Sequence, residues 1–206
     1  MPVSPPELQK PDVAARLRAA GCVYAEEEAI EFRPMAGADT DAVVRFLGSN
    51  RFPFHIAAEP SEDEERPGVE NGRFWNEDSQ GYWIDDDGAR LGMVALQDLQ
   101  DDTPMFDLRL DGNQRGRGKG TEVVRALCDL VFTSMPRILR FEGQTREDNI
   151  AMRKTFLRAG FLKEAHYRLG WPTHDGGHVA SAGYGILRQD WERGTSTPID
   201  WEDFAG

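Results

Sequence analysis

The sequence predicts an α/β domain, and three observations predict it. An alternating apolar strand at 104–110 runs directly into a glycine-rich turn, and a helix follows at once. A second strand–helix pair of the same kind occupies 138–161. Ahead of both, GYWIDDDGARLGMVALQDLQ (81–100) reads as a hairpin turning at Asp86-Asp87-Gly88, a strong turn signal.

The elements follow in order. Residues 1–23 hold the proline-rich MPVSPPELQKP and a short Ala/Arg/Leu helix, and form an N-terminal extension to which no role is assigned. EEAIEFRPM (27–35) alternates as a first strand. GADTDAVVRFLGSN (37–50) is a short helix with Asp39 or Thr40 as its cap. The stretch 51–80 is polar, acidic and punctuated, and reads as a loop with one or two helical turns. Beyond the hairpin and the 104–110 strand, TEVVRALCDLVF (121–132) carries Val123, Val124, Leu127, Leu130 and Val131 at helical spacing, which buries one face. Pro136 ends this helix, and ILRFEGQ (138–144) is the next strand. In TREDNIAMRKTFLRAGF (145–161), Asp148 or Asn149 caps a helix, Met152, Phe156 and Ala159 form its apolar stripe, and Gly160 stops it. FLKEAHYRLGW (161–171) and HVASAGYGILRQDW (178–191) then pair as strands across a proline- and glycine-bearing loop. One domain over 24–192 results, with a short C-terminal tail at 193–206.

Composition narrows the class of function. A chain of 206 residues buries a real core as one domain. No apolar run approaches the ~20 residues of a membrane helix, and the N-terminus lacks a signal peptide's apolar stretch, so no membrane partner is expected. Two cysteines, Cys22 and Cys128, argue against a disulfide framework and for a reducing cytoplasm, with Cys128 serving as packing inside a helix. The net charge of −12 is unevenly spread: residues 113–170 hold 12 Lys/Arg against 6 Asp/Glu, whereas the remainder holds 12 against 30. The acidic remainder lacks the coherent basic surface that nucleic acid requires, and it can attract a cationic amine. His174 and His178 near Asp175 have no third partner in the sequence, so no metal site is expected.

The basic segment contains the chemistry. Arg115-Gly116-Arg117-Gly118-Lys119-Gly120 precedes Thr121 at the first turn of a helix. A helix N-terminus offers unpaired N–H groups and a partial positive charge, and glycines let a ligand approach that backbone. Such a turn suits a phosphate or pyrophosphate. A Walker loop fails on spacing, because Lys119 is followed by Gly120 and no glycine lies at the required offset. The dinucleotide fingerprint fails as well, since these glycines fall at 116, 118 and 120.

The turn resembles the acyl-coenzyme A site of the GNAT superfamily of N-acetyltransferases, whose signature is Gln/Arg-x-x-Gly-x-Gly/Ala. Asn149 at a helix start with Gly160-Phe161 after it resembles the same family. Arg33-Pro34, Thr121-Glu122, Arg146-Glu147-Asp148-Asn149 and Tyr184-Gly185-Ile186-Leu187-Arg188-Gln189-Asp190-Trp191 look most like the branch of ribosomal-protein alanine N-acetyltransferases and their small-molecule relatives. The resemblance covers about 27–192. It implies a mixed, mostly antiparallel sheet flanked by helices, with a splayed cofactor cleft. It also implies transfer of acetyl from acetyl-CoA to an amine, either a small molecule or a protein N-terminus, by direct attack in a ternary complex. Homodimers are common in the branch.

Site residues follow from that resemblance. Arg115, Gly116, Arg117, Gly118, Lys119, Gly120, Thr121 and Asn149 would bind the cofactor, with backbone N–H groups around Leu108 and Leu110 at the thioester oxygen. Glu142, mid-strand beside the thioester site, is the first candidate base and Asp107 the second. His55, Trp75 and Trp83 would line the acceptor site, the tryptophans having a core role as the alternative. The family's usual proton donors to the leaving thiolate map onto Phe156 and Met152, neither of which can donate. Water, or Tyr184 or Tyr167 on the last strands, would then serve; the alternative is an acyl-CoA-binding protein without turnover.

Overall fold

The computed structural model describes residues 30–200. The N-terminal extension with Cys22, the first residues of the expected first strand, and 201–206 lie outside them. The chain runs through β1 (Glu31–Pro34), a 3-10 turn (Gly37–Asp39), α1 (Thr40–Gly48), α2 (Glu62–Glu70), β2 (Gln80–Asp86), β3 (Ala89–Gln97), β4 (Met105–Leu110) and α3 (Lys119–Ser134). It continues through β5 (Arg140–Arg146), α4 (Ile150–Arg158), β6 (Leu162–Pro172), β7 (His178–Leu187) and α5 (Arg188–Arg193).

Seven strands form one sheet in the order β1-β2-β3-β4-β5-β7-β6. Every neighbouring pair is antiparallel except β4 and β5, which are parallel. The β2–β3 hairpin turns with Asp87 at φ 47 and Gly88 at φ 72, the pair of positive values that matches the twist of a tight hairpin. The parallel pair is joined at one register position only, Met105 opposite Glu142, where the Glu142 amide donates to the Pro104 carbonyl at 3.1 Å. Beyond that point β4 and β5 diverge and leave a wedge in the middle of the sheet.

Helices cover both faces. On one, α3 sets Val123, Val124, Leu127, Cys128, Val131 and Phe132 against Phe106 and Phe141, and α4 adds Phe156. On the other, α1 and α2 close over Trp83, Met93 and Ala95. Both faces of β2 are therefore buried at its centre, and Tyr82, Trp83 and Ile84 read as a continuous apolar run. Cys128 is a buried free thiol, and burial pushes its ionisation well above the usual thiol range.

Gly143 on β5 is the tightest point of the α4 contact: a Cβ there would lie 2.5 Å from Phe156 Cζ and 3.0 Å from Phe106 Cε1. Overpacking a filled core costs about 1–3 kcal/mol. Gly143→Ala is expected to lower Tm by about 5 °C in a thermal melt, and an unchanged Tm would mean that the Phe156 ring is free to step aside.

Two elements differ from the sequence expectation. The 51–80 stretch contains a nine-residue helix, α2, rather than isolated turns. Ser61 caps it, accepting from the Glu64 amide at 3.3 Å while Glu64 accepts from the Ser61 amide at 2.9 Å. The last strand stops at Leu187, and the residues expected to extend it form α5. Arg188 makes that turn by donating to the carbonyls of Phe132 (2.7 Å), Met135 (2.8 Å) and Ile138 (2.8 Å), which satisfies acceptors around the end of α3. Trp191 then packs on Phe132 and donates to Asp129 at 2.6 Å.

Candidate acyl-coenzyme A and acceptor site

The glycine-rich turn stands at the mouth of the wedge. Asp111 N–H bonds the Leu91 carbonyl on the β3 side at 2.8 Å, so strand alternation turns the amides of Leu108 and Leu110 the other way, into the wedge. Past Leu110 the chain is tied down from two directions. Gly112 donates to Asn50 Oδ1 at 2.8 Å, while Arg115 donates through Nε to the Leu110 carbonyl at 3.1 Å and through Nη2 to the Arg51 carbonyl.

Within this frame Gly116 takes φ +76 and Gly118 φ +86, with Arg117 between them at a negative value. Alternation of hand makes successive amides converge into a concave anion nest. Among the described residues no protein acceptor meets the amides of Gly116, Arg117 or Gly118, and no atom lies within 4 Å of where a Cβ would stand on either glycine. Gly118 caps α3 and so adds that helix's first free N–H groups to the same concavity. Arg117 is exposed beside it and, among the described residues, unpaired.

Other members of the turn are engaged within the protein. Lys119 binds Glu122 at 2.9 Å and Asp86 at 3.0 Å, contacts that hold its ammonium above the usual lysine range. Gly120 packs against Thr155, and Thr121 donates to the Gly118 carbonyl at 3.4 Å. Asn149 caps α4, accepting from the Met152 amide at 3.1 Å and donating to Thr145 at 3.0 Å.

On the α1/α2 side, the loop 51–58 crosses the wedge. It meets β4 through His55 Nε2, 2.8 Å from Asp107 Oδ1. It meets β5 through Arg146, which donates to the Pro53 carbonyl at 3.4 Å and stands 5.6 Å from the centre of the Phe54 ring. Arg109 grips the second oxygen of Asp107 with Nε and Nη2, each at 3.0 Å, and lies over Phe52, whose ring meets His55 edge to face. Burial alone would raise the Asp107 carboxyl, but Arg109 and the bond from His55 outweigh it and hold that carboxyl well below the usual range.

The sequence candidates for catalysis do not converge. Asp107 and Glu142 lie on the same face of the sheet, whereas Tyr184 points to the other, stacked on Phe156 at 4.6 Å and bonded to Arg153 Nε at 3.3 Å. Glu142 is held by Arg140 at 2.9 Å, and the same guanidinium binds Glu164. Tyr167 is half exposed on β6, remote in the sheet order from β4. Of the expected acceptor residues, His55 is at the wedge. Trp75 packs on the α1/α2 core, and Trp83 is 1% exposed with its N–H on Asp39 at 3.0 Å. The contact between His55 and Asp107 has no sequence signal, because 52 residues separate them and neither has a local motif.

Among the described residues no group of three or more His, Cys, Asp or Glu is arranged to hold a metal, and no helix is long and apolar enough to cross a membrane.

A family model of the acetyltransferase (GNAT) domain matches residues 29–162. No curated protein matches the sequence. Among solved structures, a spermidine N-acetyltransferase SpeG chimera from Vibrio cholerae and hSSAT aligns with TM-score 0.66 at 15% identity, over 79% of this chain and 98% of that one. An acetyltransferase (GNAT family) from Bacillus anthracis aligns with TM-score 0.65 at 15% identity, over 81% and 99%. Mycobacterium smegmatis RimJ in complex with CoA-disulfide aligns with TM-score 0.65 at 17% identity, over 78% and 83%.

Proposed function

The chain belongs to the GNAT acetyltransferase family, and from that premise we propose that it is an acetyl-CoA-dependent N-acetyltransferase acting on a small primary amine. The observation that carries the cofactor assignment is the nest at 116–118: unbonded amides, two left-handed glycines with open space above them, and a helix start behind. These residues fit a pyrophosphate. Arg117 would add charge, and the Leu108 and Leu110 amides would donate to a carbonyl oxygen lying in the wedge.

Acetyl-CoA, when bound, supplies the acyl group and a thiolate that leaves readily. This chain's own residues bind it, hold its carbonyl against β4 and admit the amine from the α1/α2 side. The loop 51–58 narrows that side by bridging Asp107 and Arg146, which favours a small acceptor over a protein N-terminus. The acidic balance outside 113–170 favours a cationic one. We place the reaction in the cytoplasm, where Cys128 stays a free thiol.

A second reading, an acyl-CoA binder without turnover, is favoured by Phe156. It occupies the usual proton donor's position, is fully buried, and stacks on Tyr184 rather than leaving room for a polar replacement.

Thiol release from acetyl-CoA against a panel of small amines and N-terminal peptides, with calorimetry of coenzyme A binding alongside, separates these readings. Turnover of a small amine is the expected result. Turnover of peptides alone would overturn the acceptor class, and tight binding with no turnover across the panel would establish the binder.

A further inference from the structure

Resting on the transferase reading above, the geometry points to His55 as the base that takes the acceptor's proton, through Nδ1, with Asp107 and Arg109 as positioning residues. A carboxylate only accepts hydrogen bonds, so the nitrogen facing Asp107 Oδ1 at 2.8 Å carries the hydrogen. In the neutral ring that leaves the lone pair on Nδ1. Among the described residues Nδ1 meets no protein partner, and it is not one of the enclosed unpaired atoms. The ring as a whole is one-quarter exposed. It stands on the α1/α2 side of β4, the side from which the proposed function brings the amine.

The charges that face His55 are few. From β4 come Asp107 and Arg109, and Arg109 Nη1 is itself enclosed without an acceptor. From β5 comes Arg146, neutralised by Asp148 at 2.6 Å. Within its own loop Arg51 is paired with Glu59 at 2.5 Å, and Arg115 lies over Phe52. Among the described residues Asp107 therefore supplies the one carboxylate in contact with the ring, and Arg109 keeps it ionised and fixes its rotamer. Glu142, by contrast, is held through Oε1 in an ion pair with Arg140, whose guanidinium also binds Glu164.

The ammonium gives one proton to Nδ1, and the imidazolium so formed faces the Asp107 carboxylate. The neutral nitrogen attacks the thioester carbon, a C–N bond forms and the C–S bond breaks. The second nitrogen proton ends on the thiolate, and His55 returns its proton to water. Products are the acetamide, free thiol and one proton.

The test begins without an acceptor. Ring-nitrogen NMR of the full chain, with His55 assigned by its loss in His55→Gln, is expected to show hydrogen on Nε2 and a bare Nδ1 in the neutral ring. A neutral ring with hydrogen on Nδ1 overturns the proposal. In the acetyl-transfer assay, His55→Gln is expected to lower kcat about 100-fold and abolish the acid limb of the pH–rate profile, with calorimetric coenzyme A affinity unchanged. Added imidazole should restore part of the rate of His55→Ala, which a structural role would not do. A His55→Gln enzyme with wild-type kcat and profile overturns the proposal, and loss of the acid limb in Glu142→Gln instead would return the base to Glu142. Failure of the wild type to release thiol with any amine counts against the transferase reading, whereas the ring tautomer judges His55 by itself.

Discussion

Gly118→Asp is expected to weaken coenzyme A binding at least 100-fold while lowering Tm by only a few degrees. The position tolerates a side chain sterically, since nothing lies within 4 Å of the point a Cβ would occupy, but its φ of +86 is left-handed. Holding a non-glycine residue there costs about 1–2 kcal/mol, a small part of the stability of a domain this size. The carboxylate, however, stands in the concavity formed by the unbonded amides of 116–118. There it accepts their hydrogen bonds and repels a pyrophosphate, and a like charge at a recognition site costs several kcal/mol, more than the ~2.7 kcal/mol that 100-fold represents. Gly118→Ala separates the two effects, because it carries the backbone strain without the charge. Calorimetry showing wild-type affinity in Gly118→Asp would remove this turn as the phosphate site.

Asp107→Asn is expected to destabilise the fold by about 3 kcal/mol at neutral pH, the lower end for breaking a buried ion pair because the carboxylate is 23% exposed. It leaves Arg109 over Phe52 without its anion, and one amide oxygen must serve where His55 and Arg109 each had a carboxylate oxygen. The pH dependence has a definite sign. Asp107 is held below the ordinary carboxylate value, so its contribution is fully present above about pH 4 and is lost as pH falls through its lower folded value. The difference in unfolding free energy between wild type and variant should shrink as the pH falls below about 4. A difference that keeps growing below that point, measured by urea unfolding, would show that Asp107 is not the stabilised anion of this cluster.

What is legible in the sequence is local. Asp87-Gly88 and Gly118 announce positive φ, Asn149 announces a cap, and the Val123–Val131 spacing announces a buried helix face; each of these is decided within a few residues. The α2 signal is also present as Ser61 and Glu64, a capping box. It is masked by the surrounding acidic run and by Pro67, a helix breaker tolerated here within a nine-residue helix. Arg188 illustrates the opposite case. Nothing near it says helix, and the strand ends because its guanidinium finds carbonyls 50 or more residues away in sequence. Trp83 reads as available to a ligand because half of an antiparallel strand usually faces water, and only the docking of α1 and α2 decides that it is not. His55 with Asp107 belongs to the same class of fact, a pair created by the fold and absent from either neighbourhood.

The single register pair at Met105 and Glu142 gives this sheet, among the described residues, four edges rather than two. β1 and β6 bound it outside, and β4 and β5 each present a row of unsatisfied backbone groups to the interior. Exposed edges recruit foreign strands, and proteins ordinarily blunt them with charge, bulges or covering segments. β6 has register shifts and charged residues such as Lys163 and Arg168. The inner pair is guarded differently: α3 packs beneath it and the 51–58 loop is strapped over it from Asp107 to Arg146. On the proposed function this gap admits an extended ligand, and the same strap would keep it too confined for a neighbouring polypeptide.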